Sequence, residues 1–204
     1  CFVTRRAGAA NAMVGIHTAF QDSTPLIMFV GLIARDMTER EAFHEIDLKA
    51  MFGHTTKWTA EITDARRIPE MVNRAFQVAT AGRPGPVVLG LPEDMLVDEV
   101  DVPDTARYQA VRPYPGAPDL AKLRELLAAA KRPLMLVGGG GWNAAAVRDI
   151  TAFAEANQIP TAVSVRCQDK VDNASPIDVG DLSTSTAPAL VERVKKADLL
   201  LVVG

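Results

Sequence analysis

The chain has 204 residues, 48% of them hydrophobic and 23% charged, with a formal net charge of −3; this is the composition of a globular protein long enough for one large domain or two small ones. No run of Lys or Arg exceeds two residues, which excludes the basic footprint that nucleic acids and anionic membranes select, and no apolar stretch approaches the roughly 20 residues needed to span a bilayer. Only Cys1 and Cys167 occur, outside any C-x-x-C pattern, so neither a disulfide framework nor a zinc site is indicated and a reducing cytoplasm is the expected compartment.

Residues 1–4 read as a buried strand, followed by a glycine turn at Gly8 and a helix over 11–21 with Ala12, Ile16, Ala19 and Phe20 at helical spacing. Asn11 stands where an N-cap belongs. Residues 26–31 are a continuous apolar run between Pro25 and Gly31, the pattern of a strand in a parallel sheet covered on both faces. The charged, aperiodic stretch 35–45 is then expected as a loop at the carboxyl edge of that sheet, where α/β proteins place ligands. A short helix over 46–52 and an extended segment over 55–62 follow. Residues 64–81 form the clearest helix, with Asp64 as cap and an apolar stripe of Ile68, Met71, Val72, Ala75, Phe76 and Ala79. It leads through Gly82 to Val87-Val88-Leu89, a strand whose ends are set by Pro84, Gly85 and Pro86 on one side and Gly90 and Pro92 on the other.

Three segments are expected: a first α/β unit over 1–95, a proline-stiffened linker over 96–118, and a second α/β unit over 119–204. In the second, Asp119 caps a leucine-rich helix, and a strand over 134–137 meets Gly138-Gly139-Gly140-Gly141. A helix over 142–157, a strand over 161–165, an irregular polar stretch to about 185, a helix over 188–196 and a final strand complete it. The chain opens and closes on strands and lacks an initiator Met, so an internal piece of a longer polypeptide is expected, with both units truncated.

Local chemistry is sparse. The glycines at 138–141 lie where a strand passes into a helix and could face a phosphate, yet they match neither G-x-G-x-x-G nor a P-loop, and tight strand-to-helix packing alone explains them. His17, His44 and His54 are too scattered for a metal pair, and no Ser-His-Asp or Cys-His arrangement is legible. The residues alone stop at an α/β protein of two units with a ligand edge near 6–11 and 35–45.

Four segments carry more. Arg6-Ala7-Gly8-Ala9-Ala10-Asn11, Ala19-Phe20-Gln21-Asp22-Ser23-Thr24-Pro25, Ala42-Phe43-His44-Glu45 and residues 81–94 follow one another in the order and spacing of the thiamine-diphosphate-dependent enzymes of the acetolactate synthase type, with Pro133-x-x-x-x-Gly138-Gly139-Gly140 after them. The chain resembles that family over nearly all of its length. The resemblance implies two parallel-sheet three-layer units, the carboxyl-terminal part of a pyrimidine-binding fold and then the start of a Rossmann-like central domain. It implies thiamine diphosphate with magnesium as cofactor, FAD near Gly139 and Gly140 in some relatives, a 2-keto acid substrate, and a homodimer or homotetramer. Ala7, Gly8 and Asn11 are the positions it assigns to the cofactor's aminopyrimidine, and His44 occupies the place of a glutamine that reaches toward the substrate. Where the family has Pro, Thr and Gln, this chain has Ala7, Ala10 and His44, and an imidazole can act as acid or base near neutral pH where an amide cannot. The resemblance further implies that the family's activating glutamate lies upstream of Cys1 and its metal-binding domain downstream of Gly204, so the 204 residues alone are expected to be inactive. The competing reading is a non-catalytic nucleotide-binding or assembly module of α/β fold, for which 138–141 is the main support.

Overall fold

Strand and helix alternate through both halves of the chain in the computed structural model, which describes residues 1–111 and 113–204. The fold divides into two units, Cys1–Arg112 and Pro113–Gly204.

The first unit runs β1 (Phe2–Thr4), α1 (Arg5–Gln21), β2 (Leu26–Leu32), α2 (Leu48–Phe52), β3 (Trp58–Glu61), α3 (Ile68–Thr80) and β4 (Pro86–Pro92). Its four strands are parallel in the order β1-β2-β4-β3. Pro86 and Pro92 bound β4, and Val87, Val88 and Leu89 between them are wholly buried. Because successive side chains alternate across a strand, Val88 joins Met28 and Val30 of β2 beneath Ile16 of α1 and Phe52 of α2. Val87 and Leu89 point the other way, onto Met71, Ala75 and Ala79 of α3. The apolar pattern of this central strand therefore reflects helices on both faces.

Two basic residues tie the turns to this sheet. Arg83, beyond the left-handed Gly82, donates to the Ser23 hydroxyl at 2.8 Å and to the carbonyls of Phe20 and Gln21 at the end of α1. Lys57 reaches the last carbonyls of α3, those of Val78 and Ala81, where a cation complements the helix dipole, while burial pushes its ammonium pKa below the ordinary lysine value.

Several expectations shift. The opening strand lies at the sheet edge, with Phe2 77% exposed and stacked on Phe29, so it is not buried. There is no turn at Gly8: α1 begins at Arg5, whose φ of +42° makes the reversal, and Asn11 lies inside the helix and caps nothing. Gly8 instead brings α1 close to β1, since a Cβ there would stand 3.1 Å from the Val3 Cβ. Phe76, expected in the buried stripe of α3, is half-exposed and stacks on Tyr108, while Asn73 donates to the Ala106 carbonyl at 2.8 Å. Residues 104–108 thus lie against α3, and are not a free spacer.

The second unit runs α4 (Ala117–Ala129), β5 (Pro133–Val137), α5 (Ala144–Ala156), β6 (Thr161–Ser164), β7 (Asp178–Leu182), α6 (Pro188–Lys196) and β8 (Leu199–Val203). Its parallel order β7-β6-β5-β8 reverses direction between β5 and β8, which puts a topological switch point at their carboxyl ends. Strand β7 falls in the stretch expected to be irregular; its Asp178, Gly180 and Asp181 carry no strand pattern, and it pairs with β6 through a register shift. Gly116 rather than Asp119 is the N-cap of α4, with the Asp119 carboxylate reaching back to accept the Gly116 N–H at 3.2 Å. Asp198 accepts the N–H groups of Lys131 and Arg132 at 2.9 and 2.8 Å, which fixes the entry to β5 and holds its own pKa below the usual carboxylate value.

Gly90 is the tightest point of the first sheet. A Cβ there would lie 2.6 Å from Leu32 Cδ1, 2.7 Å from Leu48 Cδ1 and 3.0 Å from Glu61 Cγ. Gly90→Val is expected to destabilise by about 1–3 kcal/mol through overpacking, read as a lower urea midpoint at unchanged slope; an unchanged midpoint would contradict this packing.

Candidate functional site

The carboxyl ends of β2, β3 and β4 gather the polar residues of the first unit. Arg35, just past β2, donates its backbone N–H to Asp94 Oδ1 at 2.8 Å and its Nε to Asp94 Oδ2 at 2.6 Å. The same guanidinium reaches the Thr63 carbonyl at 2.8 Å and the Asp98 carboxylate at 3.0 Å. One side chain thereby joins the exits of all three strands. The pairing holds Asp94 below the ordinary carboxylate range, chiefly through the Arg35 hydrogen bond, and raises the Arg35 pKa in turn. Nearby, Arg5 at the start of α1 pairs with Glu93 at the end of β4.

From this anchored start the loop takes an unusual path. Glu39, Glu41 and His44 have φ of +61°, +54° and +71°, a conformation that costs a non-glycine residue about 1 kcal/mol or more. Glu45 holds the loop together: its carboxylate accepts the N–H of Glu39 at 2.5 Å and that of Ala42 at 3.0 Å, and its own N–H donates to the Ala42 carbonyl. His44 is half-buried, its ring 3.8 Å from that of the exposed Phe43. The imidazole lines a cavity of about 350 Å³ with Leu32, Arg35, Glu45, Ile46 and Glu61. Burial pushes the Glu61 carboxyl above its usual pKa; Lys49 opposes that rise and Asp47 adds to it.

The other expected site residues lie elsewhere. Ala7 and Asn11 are exposed and four residues apart, on one face of α1, while Gly8 is half-buried against Val3. None of the three lines the His44 cavity. Gly139 and Gly140 belong to the second unit, at its switch point. Gly139 has φ +67° and sits tightly against the Gly204 backbone, so the fold itself requires that glycine; Gly140 has open space where a Cβ would be. Gly138 abuts Ser164, its N–H donates to the Val203 carbonyl, and its own carbonyl accepts the Trp142 indole N–H at 2.7 Å. Asn143 caps α5 by accepting the Ala146 N–H. Among the described residues, no group of three or more His, Cys, Asp or Glu side chains is placed to hold a metal ion.

Sequence reasoning missed Arg35 and Glu61. Arg35 was one charge among many in a loop with no period. For Glu61 the available signal was a carboxylate closing a strand, next to the buried Ala60 and Ile62.

Comparison with known proteins gives two family matches, separated by residues 52–119. Residues 1–51 match the family described as "Thiamine pyrophosphate enzyme, N-terminal TPP binding domain", and residues 120–204 match "Thiamine pyrophosphate enzyme, central domain". Among curated relatives, the "Probable acetolactate synthase large subunit" of Methanocaldococcus jannaschii is 31% identical over 211 residues, covering all of this chain and 36% of that protein. The "Acetolactate synthase isozyme 2 large subunit" of Escherichia coli is 29% identical, again over all of this chain and 37% of the relative. The chain therefore spans little more than a third of the length of these relatives. Among solved structures, benzoylformate decarboxylase from Polynucleobacter necessarius superposes with a TM-score of 0.83 at 27% identity, covering all of this chain and 38% of that one.

The Arg35–Asp94 clamp has a defined pH signature. Because the folded-state pKa of Asp94 is depressed, its contribution is present at neutral pH and disappears as pH falls through that lowered value. Urea unfolding of the parent and of Asp94→Asn across the acid range should show a stability gap that is constant near neutrality and closes below the ordinary carboxylate range. A gap independent of pH would contradict the clamp.

Proposed function

From a chain that belongs to the thiamine pyrophosphate enzymes, we propose that these residues form part of an enzyme acting on 2-keto acids, by decarboxylation, carboligation or both. The observation that carries this reading is the pair of domain matches, N-terminal and then central, within one chain whose curated relatives include acetolactate synthase large subunits. A purely nucleotide-binding or assembly role has less support, since Gly138 and Gly139 are accounted for by packing within the fold.

The residues of α1 fit the proposed cofactor. Ala7 and Asn11 offer an open helix face, and the Asn11 amide makes no hydrogen bond among the described residues, which suits it to serve a ring nitrogen or amine. Ala7 would contribute its backbone, and Gly8 would act by holding the helix onto β1. Thiamine diphosphate, when bound, supplies an electron sink for cleavage or formation of a carbon–carbon bond beside a carbonyl; the protein contributes binding, orientation and electrostatics. His44 is the proposed acid or base, held by the Glu45-stapled loop at the rim of a cavity sized for a small substrate. Magnesium is proposed to accompany the diphosphate. FAD or another dinucleotide is proposed for the 138–141 loop on the strength of its switch-point position and the open backbone at Gly140.

A homodimer or homotetramer is the proposed assembly. No helix among the described residues is long and apolar enough to cross a membrane. The cytoplasm is the proposed compartment because both cysteines are free. Turnover is assigned to a longer protein, and the 204 residues alone are expected to be inactive, given that they span little more than a third of their relatives.

Titration of the full-length protein with thiamine diphosphate and magnesium, followed by calorimetry, should give saturable binding that Asn11→Ala weakens about tenfold, the loss of roughly one hydrogen bond. His44→Gln should leave that affinity intact while altering the pH profile of 2-keto acid turnover. Absence of saturable cofactor binding would overturn the reading, and an unchanged pH profile would remove His44 from it.

A further inference from the structure

Four ionisable side chains line the His44 cavity, and two are already committed. Arg35 is engaged by Asp94, Asp98 and the Thr63 carbonyl, and the Glu45 carboxylate by two backbone N–H groups. His44 and Glu61 remain, and neither makes a hydrogen bond or ion pair among the described residues. We propose that Glu61 is a second proton-holding residue of this cavity, working with His44 on a small carbonyl substrate.

The placement of Glu61 is built into the sheet. It closes β3 in register with Gly90 of β4, and its Cγ lies 3.0 Å from where a Cβ on Gly90 would be. The aliphatic stem therefore lies over Gly90, close enough that a Cβ there would press on it. That holds the carboxyl at the carboxyl edge, in a cavity whose floor is formed by Leu32, Ile46 and Pro92. The apolar surroundings favour the neutral acid, and Asp47 of α2 acts in the same sense. Lys49 of α2 opposes them. On the loop side stand Arg35, His44 and Glu45, with Glu39 further along it. From the 3-10 turn before α3 and from α3 itself, Arg67 and Arg74 border the adjoining space, Arg67 paired with Glu70 and Arg74 stacked over Trp58. Neither arginine is paired with Glu61.

A carboxyl group and an imidazole that line one cavity can divide the two proton transfers of a carbonyl reaction between them, and burial favours the proton-bearing form of Glu61. The O–H bond of the Glu61 carboxyl breaks as its proton passes to a substrate oxygen that is gaining negative charge, and the resulting carboxylate recovers a proton from water. His44 takes or returns the proton required at the other stage of the reaction. This inference rests on the proposed 2-keto acid chemistry for its substrate, but the coupling of the two side chains does not.

The test separates the two. In the 204-residue chain, the imidazole resonances of His44 are followed by NMR from acid to neutral pH in the parent and in Glu61→Gln, with His54 as an internal reference. Coupling predicts that the His44 midpoint falls in Glu61→Gln, because a carboxylate that stabilised the imidazolium is gone, while His54 does not move. An unchanged His44 midpoint overturns the proposal. In the full-length enzyme, Glu61→Gln is expected to lower kcat by about 10²-fold, the lower end of general acid-base contributions, with unchanged thiamine diphosphate affinity and loss of one limb of the pH profile. Retained kcat with the parent profile overturns the catalytic role even if the NMR coupling is seen. Failure of the parent to bind the cofactor instead counts against the functional reading and leaves the NMR arm to decide on the pair.

Discussion

A single missing side chain sets the geometry of the first unit. At Gly90, in the middle strand of the sheet, Leu32 from β2, Leu48 from α2 and Glu61 from β3 all close into space that any Cβ would occupy. Because β4 is paired along its length to β2 on one side and over Val87–Gly90 to β3 on the other, this close approach determines how near α2 comes to the sheet and where the Glu61 stem lies. The position of the Glu61 stem over Gly90 is therefore a consequence of packing in the strand layer, while Arg35 secures the same edge by tying the exits of three strands together. Anchored at that edge, the loop that follows can sustain three left-handed non-glycine residues, one of them His44. Backbone strain of this kind persists only where the surroundings over-determine it.

Much of the architecture is legible in the sequence because proline and glycine punctuate it. Pro25 and the prolines around β4 delimit strands that the structure places side by side in the core, and the spacing of Met71, Ala75 and Ala79 correctly marks the buried face of α3. The errors share a cause, which is that local pattern does not reveal what a residue packs against. Gly8 looked like a turn because glycine usually breaks helices, yet here it serves close helix-to-strand contact with Val3. Phe76 fitted the apolar stripe, but its partner is Tyr108, more than thirty residues later in the chain. Strand β7 was invisible because an edge strand needs only one neighbour and tolerates Asp178, Gly180 and Asp181.

The candidate site divides along the same line. His44 could be singled out because a resemblance assigned its position, and the structure puts it at the rim of a cavity. Glu61 belongs to no motif; it acquires interest only when β3 is laid beside Gly90 and the cavity is seen to contain just two uncommitted ionisable groups. In the second unit the balance is reversed. A run of four glycines drew attention as a phosphate cradle, but two of the four answer to Ser164 and Gly204 within the fold, leaving the backbone at Gly140 and Gly141 as the part unexplained by packing.

The proposal that α1 and the loop after β2 form the protein's share of a thiamine diphosphate site is tested most directly by hydrogen–deuterium exchange on the full-length protein, with and without the cofactor and magnesium. Protection appearing at residues 5–11 and 35–45 is the predicted result. Cofactor-dependent protection confined to residues 138–141, or absent from the chain altogether, would contradict it.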